Sequence, residues 1–124
     1  MSNTVLIVED DVELLDLFGQ MLRYADYDVM LAANGTEATV LLKQHSSEII
    51  LLITDILMPK MSGHDLSAWC NKNYPQIPCL KISGCFEAPP GVGPDEFLEK
   101  PFTEKQLLES VRLALNPIGF RIAL

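Results

Sequence analysis

The sequence predicts an α/β domain built on a doubly wound, five-stranded parallel sheet, on three observations. Five short runs rich in Val, Ile and Leu recur along the chain: "TVLIV" (4–8), "DVMLA" (28–32), "EIILLITD" (48–55), "PCLKIS" (78–83) and "EFLEK" (96–100). Stretches with apolar residues at helical spacing stand between them. No repeat, low-complexity tract or linker interrupts the alternation. Alternating strands and amphipathic helices imply parallel strands covered on both faces, joined by right-handed crossovers. The 124 residues suffice for one domain with a real core.

Each element has its own signal. "TVLIV" is apolar at every position after Thr4, as a strand buried on both faces must be. Asp11 can cap a helix whose inward stripe is Leu14, Leu15, Phe18, Leu22 and Ala25. "DVMLA" is the second strand, and Asn34-Gly35 starts a second helix facing Ala38, Leu41 and Leu42 inward. The third strand is the most apolar. Beyond the Pro59 and Gly63 turn, Leu66, Trp69 and Cys70 mark a third helix that stops before Pro75. "PCLKIS" and "EFLEK" are the fourth and fifth strands. Thr103 and Gln106 form a T-x-x-Q capping box for a last helix, with Leu107, Leu108, Val111 and Leu115 inward, ending at Asn116-Pro117. Residues 1–116 form the domain, and 117–124 are a C-terminal tail or linker stub.

Composition narrows the function. A net charge of −8 argues against a nucleic-acid surface, which needs clustered Lys and Arg. Cys70, Cys79 and Cys85 are odd in number and form no CxxC pair, so they read as three isolated, reduced thiols rather than a disulfide frame or zinc site. No secretory signal is evident, and the longest apolar run, 49–53, is far too short to span a bilayer. The expected location is the cytoplasm, with no direct membrane contact.

The polar residues gather at the strand ends. The first strand runs into Glu9 and Asp10, the third ends on Asp55, the fourth on Ser83 and the fifth on Lys100. In a parallel sheet these ends share one edge, where ligands bind. Three carboxylates packed together repel unless a cation offsets them. Oxygen donors in a partly wet site suit Mg²⁺, with Asp10 and Asp55 as direct ligands and Glu9 acting through water. Lys100 and Ser83 suit an incoming phosphoryl group, and its transfer to the Asp55 carboxylate would give an aspartyl phosphate. Taken singly, each residue has a plainer reading: Asp11 a helix cap, Asp55 an Asx-turn residue, Ser83 a turn, Lys100 a solvated charge. Their shared edge favours the site.

Together, "LIVEDD", "ITDILMPKMSG", "KISG" and "FLEKPF" resemble the receiver domain of two-component response regulators, over residues 4 to about 116. The resemblance implies a CheY-like, flavodoxin-like fold with strand order 2-1-3-4-5. It implies Mg²⁺-dependent transfer of a phosphoryl group to Asp55 from a histidine kinase or histidine phosphotransfer protein, followed by a switch in binding to a downstream protein. Glu9, Asp10, Asp55 and the backbone carbonyl of Leu57 would hold the metal. Ser83 and Lys100 would meet the phosphoryl oxygens, Phe97 would be the aromatic switch that follows Ser83, and Lys100-Pro101 would be cis. Such a domain catalyses only its own phosphorylation and dephosphorylation.

One departure stands out. Between Ser83 and Lys100 the chain is shorter than most receivers, and "GCFEAPPGVGPDE" has three prolines and three glycines, which oppose a full helix. A shortened or missing fourth helix is expected, and with it doubt over the usual symmetric dimer. Lys81 in a central strand fits a thinned cover, or else snorkels to an edge. Short fourth helices also resemble receivers of hybrid sensor kinases. Other readings are a pseudo-receiver that only binds partners, and a haloacid-dehalogenase-type phosphatase. The second is disfavoured by Leu57, which stands where that class places its second acid. His45 and His64 read as surface residues, Trp69 as packing, and Cys85 as a loop thiol bordering the site.

Overall fold

The computed structural model of the chain describes residues 3–84 and 90–116. Along the chain run β1 (Thr4–Val8), α1 (Val12–Tyr24), β2 (Asp28–Ala32), α2 (Gly35–His45), β3 (Ile49–Asp55), α3 (Gly63–Asn73), β4 (Cys79–Ser83), β5 (Phe97–Glu99) and α4 (Glu104–Leu115). The strands form one sheet in the order β2-β1-β3-β4-β5, and every neighbouring pair is parallel.

Alternation along each strand divides the core into two layers. Val5, Ile7, Leu51, Ile53, Leu80 and Ile82 face α1 and α4, where they meet Leu15, Phe18, Leu22, Leu107 and Val111. Leu6, Val8 and Leu52 face the other way, onto Ala38 and Leu42 of α2 and Leu66 and Cys70 of α3. The inner strands are apolar on both faces because both faces are covered; β2, at the edge, is only half-buried.

Helix starts follow local chemistry. The Asp11 carboxylate accepts from the Glu13 and Leu14 N–H groups, and Asn34 accepts from the Glu37 N–H. Thr103 and Gln106 satisfy each other's backbone N–H as expected. Ser62, which carries no signal in the sequence reading above, caps α3 by accepting from the Asp65 N–H. Trp69 is half-buried packing: its ring lies edge-on to Tyr74 at 5.8 Å, with the Lys43 ammonium 5.9 Å above it.

The differences from expectation are small. β3, β4 and β5 each begin one residue later than the apolar runs, and β5 ends one residue before Lys100. Ala25 lies beyond the end of α1 as its C-cap. Buried Ser110 and Leu113 join the inner face of α4, whereas Leu108 and Leu115 are half-buried. Among the described residues between β4 and β5 there is no helix; the chain turns there by Glu96 and Phe97 N–H bonds to the Gly93 carbonyl. Residues 85–89, including Cys85, and the tail 117–124 lie outside the described residues.

Gly63 sets how closely the chain folds back over the end of β3. A Cβ at this position would stand 2.0 Å from the Asp55 carbonyl oxygen, and the Gly63 N–H donates to the Ile56 carbonyl at 2.8 Å. The obstacle is backbone, which cannot swing aside. Gly63→Ala is therefore expected to cost at least about 2–3 kcal/mol by overpacking, read as a lower urea midpoint at unchanged slope. An unchanged midpoint would show that the loop relaxes freely.

Candidate functional site

Four strand ends build the site. β1 delivers Glu9 and Asp10, β3 ends on Asp55, β4 ends on Ser83, and Lys100 follows β5 directly. Hydrogen bonding continues past the strands: the Lys100 N–H donates to the Ser83 carbonyl at 2.7 Å and the Glu9 N–H to the Ala32 carbonyl at 3.1 Å. These bonds fix where the two long side chains begin.

Lys100 ties the edge together. Its ammonium donates to Glu9 Oε1 at 2.5 Å and to Asp55 Oδ2 at 2.9 Å. Carboxylate oxygens of Glu9, Asp10 and Asp55 lie within 4.8 Å of one another. Glu9 is almost wholly buried, Asp55 buried, and Asp10 open to solvent. The cluster thus has a dry floor, a wet side and only hard oxygen donors, which fits a hard divalent cation keeping part of its water shell.

Ser83 is buried at the end of β4. Phe97 opens β5 opposite Lys81, so by alternation Phe97, Lys81 and Ser83 share one face of the sheet. Leu57 lies two residues beyond Asp55 in an exposed loop. The Lys100–Pro101 peptide is cis. His64 is exposed, and His45 pairs with Glu48 on the surface, 3.7 Å apart.

Two features have no counterpart in the sequence reading. An apolar groove of roughly 430 Å³ borders the site, lined by Leu17, Phe18 and Met21 of α1 with Gly84, Lys100 and Phe102. The exposed Leu17 and Val12, off the inward stripe of α1, were the available signal. The other is the packing of Cys79 against the buried cluster that holds Cys70, with the Cys79 thiol donating to the Ile77 carbonyl at 3.9 Å. α3 and β4 bring them together, which no local motif announces.

The ionisation of the site follows from its burial. Burial, reinforced by the Asp55 carboxylate, pushes the Glu9 carboxyl up from 4.5 to about 7 against the opposing pull of Lys100. For Lys100 burial acts downward, yet its bonds to Glu9 and Asp55 outweigh it and raise the ammonium above 10.5. A folded carboxyl raised above its unfolded value stabilises fully below 4.5, and the contribution disappears as pH climbs through 7. Stability in chelator should therefore fall between pH 4.5 and 7, by about 2–3 kcal/mol from Glu9. The Lys100 contribution should persist to alkaline pH and fade only above 10.5. Urea unfolding across pH tests this: Glu9→Gln should flatten the acid-side slope, and an unchanged slope would assign it elsewhere.

Comparison with known proteins places this geometry. The family described as "Response regulator receiver domain" matches residues 5–112. The chain belongs to this family. The receiver domain is 33% identical to the sensor kinase CckA of Brucella abortus over 93% of this chain and 13% of that protein. It is 30% identical to the transcriptional regulatory protein CpxR of Escherichia coli over 92% of this chain and 50% of the other. It therefore spans half or less of these relatives. The crystal structure of the receiver domain from the hybrid histidine kinase CckA superposes with a TM-score of 0.79 at 33% identity, covering 91% of this chain and 99% of that one. A CheY from Borrelia burgdorferi, solved in complex with CheX, BeF₃ and Mg²⁺, gives 0.81 at 25% identity, covering 90% and 87%. Among the described residues, no helix of the receiver domain is long and apolar enough to cross a membrane.

Proposed function

We propose that this receiver domain accepts a phosphoryl group on Asp55 in a Mg²⁺-dependent reaction and thereby switches the binding of a partner protein. The observation that carries the reading is the Lys100 ammonium, which holds Glu9 and Asp55 together beside Asp10. The donor would be a phosphohistidine on a kinase or phosphotransfer protein: its N–P bond breaks, an Asp55 Oδ–P bond forms, and the imidazole nitrogen keeps the bonding pair.

Each residue has a part in that transfer. Asp55 is the nucleophile, held at the end of a buried strand and so unable to drift from the attacking position. Lys100 already touches the nucleophile and can exchange its carboxylate contacts for phosphoryl oxygens as charge develops there. The Ser83 hydroxyl is the second donor, and Phe97, on the same face, would be the aromatic switch that follows it. Glu9, Asp10, Asp55 and the Leu57 carbonyl would hold Mg²⁺, which when bound neutralises charge on the phosphoryl oxygens. The Borrelia CheY complex, which carries BeF₃ and Mg²⁺, supports this assignment. The apolar groove beside Lys100 offers the donor a surface from which its histidine can reach Asp55.

Incubation with acetyl phosphate and Mg²⁺ tests the reading. Intact mass should gain one phosphoryl group, labile to hydroxylamine and absent in chelator; no gain in the folded wild-type chain would make it a pseudo-receiver. The CckA similarity, over 13% of that protein, favours the second reading that the domain serves within a larger hybrid kinase. A cytoplasmic setting suits either.

A further inference from the structure

We propose that the groove between α3 and β4 binds a small organic anion, its phosphate or carboxylate head held by the Lys81 ammonium. The groove holds roughly 270 Å³ and is lined by α3, by β4 and by the turn that joins them. Lys81 lies in β4, between β3 and β5, where a lysine is out of place unless something engages it. It has no part in the phosphoryl site.

Alternation along β4 sets its direction. Leu80 and Ile82 point into the core layer under α1 and α4, so Cys79 and Lys81 take the other face, and both line the groove. Lys81 is half-buried, and among the described residues no carboxylate pairs with it. Partial burial of an ammonium without a counter-charge is costly. An anion in the groove supplies that charge.

The opposite wall completes the site. His64, Ser67 and Asn71 line the groove at spacing i, i+3 and i+7 on α3, which puts them on one face along about 10 Å of helix. They present an imidazole, a hydroxyl and an amide, each able to donate to oxygens of the ligand. Ala68, Ile77 and Pro78 supply apolar surface for its carbon skeleton. None of the lining residues is acidic, although the chain carries 17 Asp and Glu against 9 Lys and Arg. The net charge of the chain repels anions, so attraction here has to be local. The same local charge disfavours a metal cation or a basic peptide. Binding at this groove needs no phosphorylation of Asp55.

The test is titration of the full chain in chelator, at fixed ionic strength, with glycerol 3-phosphate and separately with succinate, followed by backbone amide shifts. At least one of the two should give saturable shifts at His64, Ser67, Asn71 and Lys81 below about 10 mM. The anion that saturates first names the head group, and glycerol should give no shift. Lys81→Met should weaken binding at least about tenfold, the loss of one charge-assisted contact. Asn71→Asp, at an exposed position, should weaken it comparably by bringing a negative charge to the wall, and decides the matter if Lys81→Met does not fold. The proposal is overturned if neither anion saturates below about 10 mM, if either folded variant binds as the wild type does, or if the shifts centre on Glu9, Asp10 and Asp55.

Discussion

Asp55→Asn should abolish phosphoryl uptake while leaving the fold intact. The amide is nearly isosteric and its oxygen can still accept from the Lys100 ammonium, so the 2.9 Å contact has a replacement. It cannot form an acyl phosphate, so labelling by acetyl phosphate should fall at least about a thousandfold, to the detection limit. Stability should hold or rise, because three carboxylates face one ammonium here and the change removes one of them. Intact mass and urea unfolding on the same sample separate the outcomes. Retained labelling would place the acceptor elsewhere; a lost fold would leave the chemistry to be read from Asp55→Glu and peptide mapping.

Lys100→Met should damage both stability and transfer. Without the ammonium, buried Glu9 and Asp55 confront each other with no counter-charge. Breaking a fully buried pair costs about 3–5 kcal/mol; here the Lys100 side chain is about a fifth exposed, so about 2–3 kcal/mol is expected at neutral pH. The loss should shrink at pH 5, where Glu9 takes up a proton, and shrink again with millimolar Mg²⁺. Transfer should slow by about 10²–10³-fold, the usual effect of deleting one donor to a transferring oxygen. Lys100→Arg should restore much of the stability and little of the rate, since a planar fork does not put one donor at the same point. Equal rates for Lys100→Met and the wild type would remove Lys100 from the chemistry.

Much of this was legible in the sequence because it depends on local pattern. β1 and β2 lie where the apolar runs put them, and Asp11, Asn34 and Thr103 cap as their types demand. The convergence of Glu9, Asp10, Asp55 and Lys100 was readable too, since parallel strands carry their carboxyl ends to one edge. What the sequence hid depends on distances between elements. The depth of Glu9 raises its carboxyl against the pull of the Lys100 ammonium, which reaches it from 91 positions away. The close pass of Gly63 over Asp55 and the contact of Cys79 with the cluster that holds Cys70 are likewise products of packing. The prolines and glycines before β5 opposed a full helix, and none stands among the described residues there, while Lys81 lines a groove between α3 and β4.

The central claim is that the acids, the hydroxyl and the ammonium act on one ion and one phosphoryl group. Backbone NMR of the chelator-treated protein, titrated first with Mg²⁺ and then with beryllofluoride, tests it most directly. The amides of Glu9, Asp10 and Asp55 should move on adding Mg²⁺, and those of Ser83, Phe97 and Lys100 only after beryllofluoride follows. Shifts centred on another part of the chain, or none at these six positions, would contradict it.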